Sequence, residues 1–91
     1  MPLKLPPLNS LRAFEAAART GSYVAAAEEL GVSAAAISQH IRKLEDYFGK
    51  ELFQRRNNRV ILTDAGHAIF AGTVGALQAI SDTSGDLMSD R

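Results

Sequence analysis

The chain has no cysteine among its 91 residues. That excludes a disulfide framework and any zinc site built on thiolates, and it fits a reducing cytoplasm. Histidine is nearly as scarce. His40 and His67 fall in different predicted elements, and neither has a close carboxylate at metal-ligand spacing. Ser38 lies two positions before His40 on a predicted helix, where such residues point apart, so the two make no nucleophile pair. His40 reads as a groove-facing donor or a solvated residue. A glycine-rich phosphate loop of the required pattern is missing as well. Together these absences argue against an enzyme. The chain also lacks a long apolar start, so neither a signal peptide nor a membrane-spanning segment is expected. The uncharged run Ala65 to Ser81 contains Gly66, Gly72, Gly75, His67 and Gln78, and reads as a helix buried against another helix rather than in lipid. With 46% hydrophobic residues, the chain can enclose one small core but not a second domain.

Net charge is absent too, at +0, which at first argues against a polyanionic partner. The charges are nevertheless sorted along the chain. Residues 1–32 hold three basic and three acidic groups, residues 33–62 six and three, and residues 63–91 one and four. Phosphate attraction follows the local patch more than the total, so the middle segment is the candidate for contact with nucleic acid.

That segment begins within SYVAAAEELGVSAAAISQHIRKLEDYFG, residues 22–49, which reads as two helices joined at Gly31-Val32-Ser33. The first buries Ala25, Ala26, Ala27 and Leu30, small enough for another backbone to approach closely, and Gly31 ends it in a left-handed conformation. Ser33 caps the second helix. Ile37, Ile41, Leu44 and Phe48 form its apolar stripe, while Ser38, Gln39, Arg42 and Lys43 occupy the opposite face. The order of a small residue at 27, a turn former at 31 and a buried aliphatic at 37 suits two helices crossing steeply, as in a helix-turn-helix. A helix carrying such donors fits the major groove.

The flanking segments fit around this pair. A first helix begins near Leu8, capped by Asn9 or Ser10, with Leu11, Phe14 and Ala18 inward and Gly21 as its stop. Pro6 and Pro7 keep the preceding residues out of it. After Gly49 the period shortens. Leu52 to Arg55 and Val60 to Leu62 read as two strands separated by Arg56-Asn57-Asn58-Arg59, where either asparagine can turn the chain. The result is a basic hairpin suited to phosphate or a narrow minor groove. Thr63 then caps a last helix, with Asp64 placed to suit its dipole.

From Leu8 to Gly66 the chain resembles the N-terminal DNA-binding domain of LysR-type transcriptional regulators. The similarity is carried by the Leu-x-x-Phe opening, AAEELGVS, the IS-x-x-I-x-x-LE block, LF-x-R and LT-x-AG, all in order. The opening LPPLNSLRAFEAAAR is most similar to the subgroup of the glycine-cleavage activator. The resemblance implies a mainly α fold, a winged helix-turn-helix of three helices and a two-stranded β wing, followed by a long linker helix. It divides the chain into a DNA-binding domain at 1–62 and a linker and dimerisation helix at 63–91. It also implies a bacterial, cytoplasmic protein that binds interrupted palindromes in double-stranded DNA as a dimer or tetramer. No cofactor is expected in this fragment. A small-molecule effector would act through a larger C-terminal domain that this chain does not include.

Several residues are candidates for DNA contact. Ser38, Gln39 and Arg42 are expected in the groove or at its edge, with His40 and Lys43 nearby. Arg55, Arg56 and Arg59 are expected on the backbone or in the minor groove, and Ser10, Arg12, Ser22 and Ser33 as phosphate positioners. Many members carry Thr-Gln-Ser or Thr-Gln-Pro where this chain has Ser33-Ala34-Ala35, so a glutamine able to bond a base edge is absent. Ala34 and Ala35 can still touch thymine methyl groups. On the last helix Phe70, Val74, Leu77 and Ile80, with Leu87 further on, form a stripe that calls for a second copy of the chain. The competing reading is a winged helix used for protein interaction or dimerisation, against which the basic wing tip weighs.

Overall fold

The computed structural model describes residues 7–89, with side chains placed through Asp82. The order is α1 (Leu8–Thr20), α2 (Tyr23–Leu30), α3 (Ala34–Phe48), β1 (Phe53–Arg56), β2 (Arg59–Leu62) and α4 (Asp64–Ser89). Gly21 and Gly31, at φ of 71° and 70°, stop α1 and α2 in the left-handed region that other residues adopt only with strain. Past Gly31 the Val32 amide donates to the Ala27 carbonyl at 3.0 Å, so the chain reverses within the turn that joins α2 to α3. The Ser33 hydroxyl accepts from the Ala36 amide at 3.0 Å and starts α3 as its sequence predicts.

The start of α1 differs from expectation. It begins at Leu8 with Pro7 in the capping position and no side-chain cap. Proline suits this place because its missing N–H would be unpaired in any case. Neither Asn9 nor Ser10 is the cap; both lie inside the first turn.

The core is built where α1 crosses α2 and α3. Ala13, Ala16, Ala17, Ala26 and Ala27 are buried and let the backbones close in, while Phe14, Ile37, Ile41, Leu44 and Leu52 fill the centre. Ala18 and Ala25, expected inside, are only half-buried. Phe14 is fully enclosed, and its ring meets Phe53 at 5.4 Å and Phe70 at 6.2 Å. One aromatic side chain thus joins α1 to the hairpin and to α4, and truncating such a residue typically costs about 3–5 kcal/mol.

The hairpin pairs Phe53 with Leu62, Gln54 with Ile61, Arg55 with Val60 and Arg56 with Arg59. The strands reach the arginines at both ends, leaving a turn of only Asn57 and Asn58, at φ of 53° and 64°. Two consecutive positive values make the tight turn that matches the twist of a hairpin. Thr63 caps α4 as expected, its hydroxyl accepting from the Gly66 amide at 3.0 Å while donating to the Glu51 carbonyl at 2.6 Å. Gly66 is buried against the Leu52 backbone, where a methyl group would collide with the carbonyl oxygen.

Candidate nucleic-acid interface

One open groove collects the N-terminal ends of α2 and α3 and one face of the hairpin. Ser22, Tyr23, Val24, Ala34, Ala35, Ser38, Arg55, Asn58 and Val60 line it. The crossing of α2 under α3 brings Ser22 and Ser38 together, although 16 positions separate them in sequence. Ser22 also caps α2, its oxygen accepting from the Ala25 amide at 3.1 Å, which leaves its proton free to donate outward. Ala35 and Gln39 are exposed on α3, and Arg42 and Lys43 follow one turn later.

The hairpin divides its arginines between two faces. Residues directly opposite across a ladder share a side, and successive residues alternate. Arg55 therefore lies with Phe53, Val60 and Leu62 on the face toward the helices, while Arg56 and Arg59 sit opposite each other on the other face. The Arg55 guanidinium carbon stands 5.5 Å from the Tyr23 ring centroid. Tyr23 in turn meets Phe53 edge-on at 5.9 Å, so an aromatic contact linked to the core holds the arginine at the groove. Burial pushes the Tyr23 phenol above its ordinary pKa; Glu45 adds to the rise and Arg55 opposes it. The phenol is thus neutral at physiological pH.

Charge leaves this surface without internal partners. Among the described residues the ion pairs belong to Arg19, which binds Glu15 at 2.8 Å and also Glu29. Arg42, Lys43, Arg55, Arg56 and Arg59 are exposed and engage no carboxylate among those residues. Like charges directly opposed, as at Arg56 and Arg59, are mildly destabilising unless an anion lies over them. The Arg59 guanidinium also lies against Gly21 at the turn after α1.

Two residues stand elsewhere than the sequence reading placed them. Ser10 cannot touch phosphate, because it is fully buried on the α1 stripe it shares with Ala13, Phe14 and Ala17. Its hydroxyl oxygen lies 3.1 Å from Nδ1 of His40. His40 consequently turns toward α1 and does not stand with Ser38 and Gln39. It lines a second groove with Asn9, Arg12, Leu30 and Val32. Tyr23 and Asn58 line the first groove, where the sequence reading did not place them. An aromatic residue directly after the Ser22 cap was the available signal for Tyr23.

The stripe on α4 also divides. Phe70 packs on Phe14 and belongs to the domain's own core, which corrects its place on a dimer face. Val74 and Leu77 are half-buried and line a shallow groove with Glu15, Gln78 and Ser81, whereas Ile80 is 57% exposed. The side chain of Leu87 lies outside the described residues. No described helix is long and apolar enough to cross a membrane.

Comparison with known proteins places this geometry. The family described as bacterial regulatory helix-turn-helix protein, lysR family, matches residues 8–67. The glycine cleavage system transcriptional activator of Escherichia coli K12 is 53% identical over 70 residues, covering 77% of this chain and 23% of that protein. The RuBisCO operon transcriptional regulator of Allochromatium vinosum is 51% identical over 63 residues, covering 69% of this chain and 21% of its own length. The chain thus spans about a quarter or less of these relatives. Among solved structures, the CbnR DNA-binding domain in complex with DNA superposes with a TM-score of 0.78 at 33% identity, over 90% of this chain and 93% of that one.

Proposed function

The chain belongs to the LysR family of bacterial helix-turn-helix transcriptional regulators, as the DNA-binding part, and from that premise we propose that it reads an interrupted palindrome in duplex DNA as a homodimer. The observation that carries this reading is the groove where Ser22, Ala34, Ala35, Ser38 and Arg55 meet beside an exposed polar face of α3. Gln39, Ser38 and Arg42 address base edges, and Ala34 and Ala35 meet thymine methyl groups. Arg55, Arg56, Arg59, Lys43, Ser22 and Ser33 address the phosphates, which fix register without reading sequence. The relatives matched are regulators rather than enzymes, and the DNA-bound neighbour leaves the protein-interaction reading unfavoured.

The finer proposals concern what lies beyond this domain. Residues 1–62 form the reading unit, and 63–91 link it to its partner copy through Val74, Leu77 and Ile80. Two recognition helices then meet two half-sites. In the whole protein a small-molecule effector acts through a C-terminal domain, the assembly reaches a tetramer, and the site of action is the cytoplasm. Selection of this chain against a random duplex library tests the proposal. Enrichment of paired, inverted half-sites is expected. Binding without sequence enrichment, or enrichment of single sites bound by a monomer, would overturn it.

A further inference from the structure

We infer that Ser10 is a positioning residue for DNA binding: from inside the core it holds the His40 imidazole so that Nε2–H faces the groove between α1 and α3 as a donor to a backbone phosphate. The inference rests on the DNA-binding reading above and adds a second flank to it. Ser10 is 0% exposed, and its hydroxyl lies 3.1 Å from Nδ1 of His40, bridging the first turn of α1 to the middle of α3. A hydroxyl taken out of water has to place its proton on an acceptor, since leaving it unpaired is costly. Neutral imidazole accepts at Nδ1 in the tautomer that carries its proton on Nε2. Among the described residues Nδ1 of His40 is the acceptor within reach of the Ser10 hydroxyl, and a proton donated to it selects that tautomer and fixes the ring.

The rest follows from where the ring stands. Successive residues on a helix are separated by about 100°, which takes His40 away from Gln39 and toward α1. Nε2 lies across the ring from the atom that Ser10 occupies. The ring borders an open groove whose polar lining is Asn9, Arg12 and His40, without a carboxylate. An amide, a guanidinium and an N–H converging on one groove suit the oxygens of a phosphodiester. A helix seated in the major groove has a phosphate strand on each side. Arg55 and Ser22 stand on the wing side of α3, and Arg12 with His40 stands on the other.

A neutral donor and a cation should leave different signatures. Loss of Arg12 removes a charge that displaces counterions, so the Arg12→Ala salt slope falls by about 1. Loss of the His40 donor removes a hydrogen bond alone. Ser10→Ala and His40→Ala should each weaken binding to a short duplex of mixed sequence by about fivefold, leave the salt slope unchanged, and in the double variant weaken it no further. Nitrogen-15 shifts of the imidazole supply a readout that a structural role alone would not move. The native protein should show protonated Nε2 and bare Nδ1, and Ser10→Ala a mixture of tautomers with the helical spectrum intact. His40→Gln, which keeps an N–H donor, should recover part of the lost affinity. Native His40 protonated on Nδ1, or unchanged affinity in Ser10→Ala and His40→Ala while Arg55→Ala binds weakly, would overturn this inference and spare the DNA-binding reading. A native chain that binds no duplex would remove both.

Discussion

The amide of Val60 donates to the carbonyl of Gly21 at 3.1 Å, so the strand β2 is tied to the turn between α1 and α2 as well as to β1. The wing is thereby bonded to the helical body on its outer edge, with Arg59 lying over the same glycine. The backbone that carries the three arginines is therefore anchored to the turn after α1.

The Tyr23 ring beside Arg55 leads to a paired test. Arg55→Ala should weaken binding to all duplexes and lower the salt slope by about 1. Tyr23→Leu should weaken binding about threefold, consistent with losing an exposed cation–π contact, and Tyr23→Phe should leave it unchanged. In the Arg55→Ala background the leucine variant should have no further effect. Titrations of a duplex across a range of salt check all four.

Gln39 stands exposed on α3, on the face proposed to read bases. Gln39→Ala should relax preference at one base pair by about 1–3 kcal/mol, with little change in non-specific affinity. A selection logo identical to that of the native chain would remove Gln39 from base recognition.

Gly66 packs where a side chain has no room beside Leu52 and Leu62. Despite the better helix propensity of alanine, Gly66→Ala should lower stability by about 1–3 kcal/mol, because the clash is with backbone as well as side chain. Thermal melting of the two chains measures it. Gly72→Ala meets nothing within 4 Å and should stabilise α4 instead.

Val74 and Leu77, half-buried beside Glu15, and exposed Ile80 present a stripe that the domain covers only in part. Leu77→Glu should shift sedimentation of the chain toward monomer and abolish cooperative binding to paired half-sites. A native chain that remains monomeric at high concentration, and binds such sites without cooperativity, would rule out pairing through α4.

Arg19 holds the Glu29 carboxyl below its ordinary pKa, first through their hydrogen bond and then through charge. A carboxyl with a depressed folded-state pKa contributes stability above its unfolded pKa, and that contribution fades as pH falls through the folded value. Carboxyl titration by NMR should place Glu29 below an ordinary glutamate, and Arg19→Ala should return it there.

Much of the fold was legible because its signals are local. Gly31 and Ser33, Thr63, and the asparagines between two β-prone runs each specify a turn or a cap from neighbouring residues. Tertiary contacts were harder. Ser10 occupies the same helical stripe as Ala13, Phe14 and Ala17, yet a serine near a helix start reads as a cap or a surface donor until α3 supplies His40 as its partner. Phe70 continued an apolar stripe that pointed to a second chain, and only the position of Phe14 shows that it is used internally. The three wing arginines looked like one cluster. Once the register is known, the alternation of the strands separates Arg55 from Arg56 and Arg59.

The tight seat of Gly66 on Leu52 makes the base of α4 a fulcrum. The helix runs 26 residues from Asp64, a lever of roughly 39 Å at about 1.5 Å per residue. A tilt of about 5° at the fulcrum moves the far end by roughly 3 Å, close to the rise of a single base pair. Should two copies pair along α4 as proposed, small changes in how Gly66 rests on Leu52 and Phe70 on Phe14 would be magnified into changes in the spacing of the two reading heads.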